Sequence, residues 1–157
     1  MSLKIMEKDL VCAFTGHRNL NSYELDYESL RETLYTLLHR GFNTFYCGMA
    51  MGFDMAAAEC LLEFHGQYNF RLVAVVPCVG QADKFSLEDR GRYKKILGAS
   101  DEVITLSDEY YSGCMQARDR YMVDNCDLLL AFLRKRSGGT YYTVGYAKKR
   151  GKPVVEI

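Results

Sequence analysis

Short, unbroken apolar runs alternate along this chain with longer segments of helical period, a pattern that leaves few folds open to it. Strands alternating with amphipathic helices build βαβ units and a parallel sheet. Six runs read as strands: Leu10 to Phe14, Thr44 to Cys47, Arg71 to Val76, Glu102 to Leu106, Leu128 to Leu133 and Pro153 to Ile157. Several lack polar alternation, as strands covered by helices on both faces do. The expected fold class is therefore α/β: a Rossmann-like, doubly wound, mostly parallel sheet of about six strands with helices on both faces. Helices are expected near Glu24 to Arg40, after Gly52 and Phe53, and over Leu87 to Leu97, Met115 to Cys126 and Thr143 to Arg150. In the first, Leu30, Leu34, Leu37 and Leu38 share a face and Gly41 supplies the stop. A length of 157 residues suits one domain over the whole chain. Residues 1–9 read as an N-terminal tail, with Met1 to Leu3 a candidate cloning remnant.

Composition narrows the function classes. Lysine and arginine balance aspartate and glutamate at 20 each, so the chain as a whole has no long-range attraction to a polyanion. Nucleic acid is accordingly ranked low as a partner. No apolar run approaches the roughly 18 residues of a membrane span, and the tail lacks the apolar core of a secretory signal. A cytoplasmic protein with no membrane partner is expected. Six cysteines are scattered singly without zinc-ligand spacing, which reads as buried reduced thiols and no metal site.

In open α/β sheets ligands sit beyond the carboxyl ends of the strands, so the loops that leave those ends carry the candidate site. After the first strand come Thr15, Gly16, His17 and Arg18: a hydroxyl, a glycine that permits close approach, and two potential anion ligands. The bland alternative is a tight turn with an exposed arginine. After the second strand, Gly48 and Gly52 stand four apart just before a helix, a turn able to aim amides at a phosphate. Asp54 there reads first as a helix cap. The loop after the fourth strand passes Gly113 and enters a helix carrying Arg118, whose guanidinium can reach back over the strand ends. Arg120, two residues on, points elsewhere on that helix, and the bland alternative for both arginines, a solvated charged face paired with Asp119 or Asp124, explains Arg120 equally well and Arg118 less well. After the fifth strand, Ser137, Gly138, Gly139 and Thr140 form the best local anion cradle, with Thr140 also readable as an N-cap. No Walker loop is present. The Pro77 to Ser86 segment reads as a loop able to cover a site.

With these loops in order, the chain resembles the YpsA-like branch of the SLOG superfamily, Rossmann-like domains related to the Lonely Guy (LOG, lysine-decarboxylase-like) proteins and to DprA. The resemblance rests on Thr15-Gly16-His17-Arg18, on the Gly48 to Asp54 turn with its alanine-rich helix ending in Glu59, and on Gly113-Cys114 with Arg118 to Asp124. It continues through Ser137-Gly138-Gly139-Thr140, Tyr142-Thr143-Val144 and Tyr146-Ala147. It implies a ligand such as NAD, ADP-ribose or another nucleotide derivative. LOG enzymes cleave a nucleoside monophosphate with an arginine, which Arg118 resembles, and a glutamate after the paired glycines. That glutamate has no counterpart, since no Asp or Glu occurs from Leu128 to Val155. Asp54, Glu59 and Asp119 are the substitutes to consider.

Three functions follow in order: a nucleotide-binding or sensing domain, a nucleotide N-glycosidase (phosphoribohydrolase) with Arg118 as the candidate catalytic residue, and DNA binding like that of DprA. The third has the Gly48 to Asp54 turn and the basic stretches Arg134 to Arg136 and Lys148 to Lys152, against zero net charge and no extended basic stripe. Arg118 and the Gly138 to Thr140 amides are expected to share one phosphate, and removal of the guanidinium to weaken binding with the fold intact. Self-association is expected from the 12 tyrosines and from the dimeric habit of the LOG proteins.

Overall fold

A computed structural model describes residues 8–157, so most of the tail, Met1 to Leu3 included, lies outside the described residues. Strands and helices alternate strictly: β1 (Val11–Gly16), α1 (Tyr27–His39), β2 (Thr44–Cys47), α2 (Phe53–Leu62), β3 (Arg71–Val76), α3 (Leu87–Ala99), β4 (Glu102–Thr105), α4 (Cys114–Asp124), β5 (Leu128–Phe132), α5 (Gly138–Lys149) and β6 (Val154–Glu156). The six strands form one sheet in the order β4-β3-β2-β1-β5-β6, and every neighbouring pair is parallel.

The apolar strand runs bury both faces, with alternate residues pointing to opposite layers. Cys12, Phe14, Phe45, Leu72, Leu130 and Phe132 share a core with α1, α2 and α3. Ala13, Val73, Val75, Leu129 and Ala131 face Met122 and Val123 of α4 and Val144 and Ala147 of α5. Successive right-handed crossovers from β1 to β4 put the first three helices on one side. The chain then returns across the sheet to β5, which reverses the direction of winding and sends α4 and α5 to the other side. The strand order thus switches between β1 and β5, the place where an open α/β sheet leaves a crevice.

The strand assignments hold to within a residue or two. β1 runs on through Thr15 and Gly16, which pair in register with Ala131 and Phe132 and are strand rather than loop residues. α1 begins at Tyr27, not near Glu24, because Asp26 accepts the Ser29 N–H at 3.1 Å and fixes the first turn. It ends as expected: Gly41 adopts φ 94°, and the Phe42 N–H returns to the Leu37 carbonyl at 3.0 Å. Asp26→Ala should therefore cost about 1 kcal/mol, readable as a fall in urea midpoint. α5 starts at Gly138, five residues before the expected Thr143. All six cysteines are buried and unpaired with one another as disulfides. Among the described residues no helix is long and apolar enough to cross a membrane.

Candidate functional site

A cavity of about 560 Å³ opens over the β1/β5 switch point. All four loops singled out in the sequence reach it. Thr15, Gly16, His17 and Arg18 line it from β1, Asp54 from α2, Gly113 and Arg118 from the α4 side, and Gly138, Gly139 and Thr140 from α5. Gly48, Gly52, Ser137 and Arg120 lie outside its lining. Arg120 turns to the outer surface, where its Nη1 donates to the Tyr142 hydroxyl at 3.0 Å.

The glycines of β1 and of the β2–α2 turn are required by chain packing, and of the three only Gly16 also lines the cavity. A Cβ on Gly16 would lie 2.4 Å from the Phe53 side chain. On Gly48 it would lie 2.9 Å from the Arg118 guanidinium, and on Gly52 only 2.3 Å from the Arg18 carbonyl oxygen. The Phe53 N–H donates to the His17 carbonyl at 3.1 Å. One amide expected to face a phosphate is therefore spent on joining the β1 and β2 ends. Gly52 at φ 77° and Met49 at φ 61° let the turn fold back this tightly. The Pro77 to Ser86 loop does not line the cavity; its Gln81 Nε2 donates instead to the Gly48 carbonyl at 3.1 Å.

The cavity floor carries a charged cluster. Arg118, only 3% exposed, donates from Nε to Asp119 at 2.7 Å and from Nη1 to the Gly48 carbonyl. Its Nη2 has no hydrogen-bond partner among the described residues yet is not sealed from the cavity, since no fully buried side-chain nitrogen there is left unpaired. Asp119 also accepts from the Thr143 hydroxyl at 3.1 Å. Asp54 does not cap its own helix; Gly52 holds that position, and the Asp54 carboxylate accepts the Ala50 N–H at 3.3 Å. Burial pushes the Asp54 carboxyl up to about 7, with Arg118 opposing the rise and Asp119 adding to it. Glu59, the third carboxylate considered, is held by Arg92 at 3.2 Å and lies outside the lining.

The opposite wall is rich in donors. His17 Nε2 accepts the Arg134 N–H at 2.8 Å, while burial and then the charges of Lys135 and Arg134 lower the imidazole's pKa. An accepting Nε2 carries no proton, so the neutral ring that these contacts favour holds its proton on Nδ1. Thr15 and Thr140 are each 6% exposed, and neither hydroxyl has a hydrogen-bond partner among the described residues. Thr140 is the third residue of α5, not its cap; Ser137 takes the cap position with no side-chain bond. Lys135, passed over in the sequence as part of a basic stretch, lines the cavity and brings its Nζ within 3.9 Å of the Cβ position of Gly138. Tyr110, 69% exposed at the rim, and Tyr23, whose ring packs 4.8 Å from that of His17, were likewise not singled out.

The distribution of helix caps follows the cavity. α1 and α3 are capped by the side chains of Asp26 and Ser86. α2, α4 and α5, the three helices that contribute lining residues, have no side-chain cap. The first amide of α2 is taken by the His17 carbonyl and that of α4 by the Tyr111 carbonyl, so the free donors are the later first-turn amides and those of α5, where the dipole favours an anion.

Comparison with known proteins agrees with this architecture. The chain is 26% identical over 118 residues to the SPbeta prophage-derived protein YoqJ of Bacillus subtilis, covering 67% of this chain and 69% of that one. It is 24% identical over 155 residues to a UPF0398 protein of Bacillus cereus, covering 90% and 84%. Among solved structures it superposes on DNA processing protein A of Helicobacter pylori, a single-stranded DNA binder, with a TM-score of 0.70 at 18% identity. That match covers 94% of this chain but only 64% of the larger protein. The molybdenum cofactor carrier protein of Chlamydomonas reinhardtii follows with a TM-score of 0.62 at 19% identity, covering 95% and 76%. At such identities the likeness is one of fold. The model of the YspA SLOG family matches residues 13–153, nearly the whole sheet with its helices, and the chain belongs to that family.

Proposed function

We propose that the cavity binds a phosphate-bearing small molecule of the nucleotide class, such as NAD, ADP-ribose or a nucleoside phosphate. The observation that carries this reading is the cap distribution: side chains cap the helices away from the cavity, and none caps those that line it. A phosphate at the α5 start would take the Gly139 and Thr140 amides, the Thr140 hydroxyl and the Lys135 ammonium, with Arg18 at the rim. The carboxylates of Asp54 and Asp119 repel an anion and accept from hydroxyls, which orients a ribose toward the floor. The exposed Tyr110 ring is placed to cover a base. Binding of cofactor and of DNA by the two structural neighbours supports a ligand-binding reading.

A thermal-shift panel of AMP, ADP, ATP, NAD, ADP-ribose and cyclic nucleotides tests it, because a ligand that binds only the folded state adds about 2.7 kcal/mol of stability at a hundred times its Kd. Lys135→Ala should weaken the best binder roughly 10-fold or more, as loss of a charge-assisted contact does. A panel without a single stabilising member would count against the proposal.

A second reading, cleavage of an N-glycosidic bond, is favoured by one observation: Asp54 and Asp119 flank Arg118 at the cavity. They are the carboxylates at the cavity that would have to do the work of the LOG-type glutamate this chain lacks. A carboxyl poised near 7 suits a general acid for a departing base, and the second carboxyl group, beside Arg118, lies at the same cavity as a developing oxocarbenium ion would. Chromatographic detection of free base from AMP, lost in Asp54→Asn, would support turnover; intact AMP after long incubation would leave a binding domain.

A further inference from the structure

The neutral net charge conceals a segregation. Between Leu128 and Val155 stand seven lysines and arginines and no carboxylate, so the rest of the chain holds the matching negative excess. α5 carries the centre of this segment on a surface that shares only Gly138 with the cavity. Its outer side forms a groove of about 730 Å³ in which Tyr141, Tyr142 and Tyr146 alternate with Lys148 and Lys149 around Gly145.

Gly145 makes the hollow. A Cβ built there would meet no atom within 4 Å, and its neighbours three and four residues away are tyrosines on one side and lysines on the other. The aromatic floor is held in place. The Tyr142 and Tyr146 rings are parallel to within 13°, Tyr142 accepts from Arg120 at 3.0 Å, and Tyr146 donates to Asp124 at 2.8 Å. Asp124, the carboxylate beside the groove, is itself paired with Arg150 at 3.2 Å. What remains exposed is the outer part of the Tyr141 and Tyr142 rings, bordered by the ammonium groups of Lys148 and Lys149, which have no ion-pair partner among the described residues.

We propose that this face of α5 binds single-stranded nucleic acid, stacking an unpaired base over Gly145 against the tyrosines while Lys148 and Lys149 meet the backbone phosphates. Aromatic platforms beside cations recognise single strands because every unpaired base has a face to stack and every linkage a charge. A second copy of the chain fits poorly, since an isologous contact would set the same cations against each other. A duplex offers phosphates but keeps its bases stacked inside. The proposal stands apart from the cavity reading.

Fluorescence anisotropy with labelled oligothymidylate and the full chain tests it, with a duplex of equal length and heparin as competitors. Wild type should bind the single strand in preference to the duplex. Gly145→Leu fills the hollow without strain and raises helix propensity, so the fold should persist by circular dichroism while affinity falls about 10-fold, the worth of one stacked base. Replacing Lys148 and Lys149 together by alanine should reduce the slope of log affinity against log salt by about 1.4, two single-strand phosphate contacts. Mononucleotide thermal shifts should be unchanged in Gly145→Leu, which separates this surface from the cavity. No binding by wild type, equal binding of duplex, or full affinity in a folded Gly145→Leu protein would overturn the proposal; heparin binding that survives Gly145→Leu together with oligothymidylate binding would mean polyanion capture only.

Discussion

Replacing Arg118 with alanine should lower the stability of the fold by about 3–5 kcal/mol, the usual consequence of breaking a buried ion pair from one side. The guanidinium reaches from α4 to the Gly48 carbonyl at the end of β2 and to the Asp119 carboxylate, and its own plane fills the space that Gly48 leaves open. Alanine would take the charge partner from the buried Asp119 carboxylate, leave the Gly48 carbonyl to Gln81 alone and the carboxylate to the Thr143 hydroxyl, and open a void between two layers. At roughly 2–4 °C per kcal/mol for a domain of this size, the melting temperature should fall by about 10 °C. Lysine should recover part of the loss, because an ammonium restores the charge but not the two-pronged geometry. An unchanged urea midpoint in Arg118→Ala would show that the cluster does not hold α4 to the sheet. Burial thus revises the expectation that this residue can be removed with the fold intact: weaker nucleotide binding by the variant would report positioning as much as direct contact.

Asp54→Asn should stabilise the protein at neutral and alkaline pH and make no difference in acid. With its carboxyl held at about 7 in the fold, against 3.8 for an ordinary aspartate, the native state keeps a proton that the unfolded chain releases. Its contribution to stability is fully present below about pH 4, declines as pH rises toward 7, and is constant above that. Asparagine never ionises and can still accept the Ala50 N–H. Its advantage over wild type should therefore grow across this window to roughly 4 kcal/mol, about three times the 1.36 kcal/mol that one pKa unit represents. Parallel stability curves for the two proteins between pH 4 and 8 would place the carboxyl in an ordinary environment. If Asp54 serves as a general acid in nucleotide cleavage, the same replacement removes activity while raising stability, a combination that a purely structural role would not produce.

Most of the fold was legible because it follows from periodicity. Continuous runs such as Leu128 to Phe132 can only be strands covered on both sides, and the leucine stripe of α1 can only face a core. The start of α5 was not legible, since Gly138 and Gly139 lower helix propensity and read as loop, while the backbone turns helical there behind an extended Ser137. The location of the site followed from the strand ends, but the work of its glycines did not. Gly16, Gly48 and Gly52 meet Phe53, Arg118 and the Arg18 backbone, partners set by tertiary contact that spacing does not reveal. Asp119 was readable as an arginine partner on a solvated face, but the burial of the Arg118–Asp119 pair was not, since adjacent helix residues do not normally face one another. Lys135 was lost in a run of three cations, of which Arg134 is tied to the Ile157 carbonyl at 2.8 Å and to the Phe132 ring at 4.3 Å. The zero net charge pointed away from polyanions, although it averages a basic α5 region against an acidic remainder.

The reading of the cavity as a phosphate site is tested most directly by nuclear magnetic resonance of backbone amides during titration with the nucleotide that stabilises the protein best. If a phosphate rests on the α5 start, the Gly139 and Thr140 amide signals should move most and saturate together, with smaller changes at Met115 and Gln116 in the uncapped first turn of α4. Saturable shifts confined to residues remote from the β1/β5 switch point, with Gly139 and Thr140 unmoved, would contradict it.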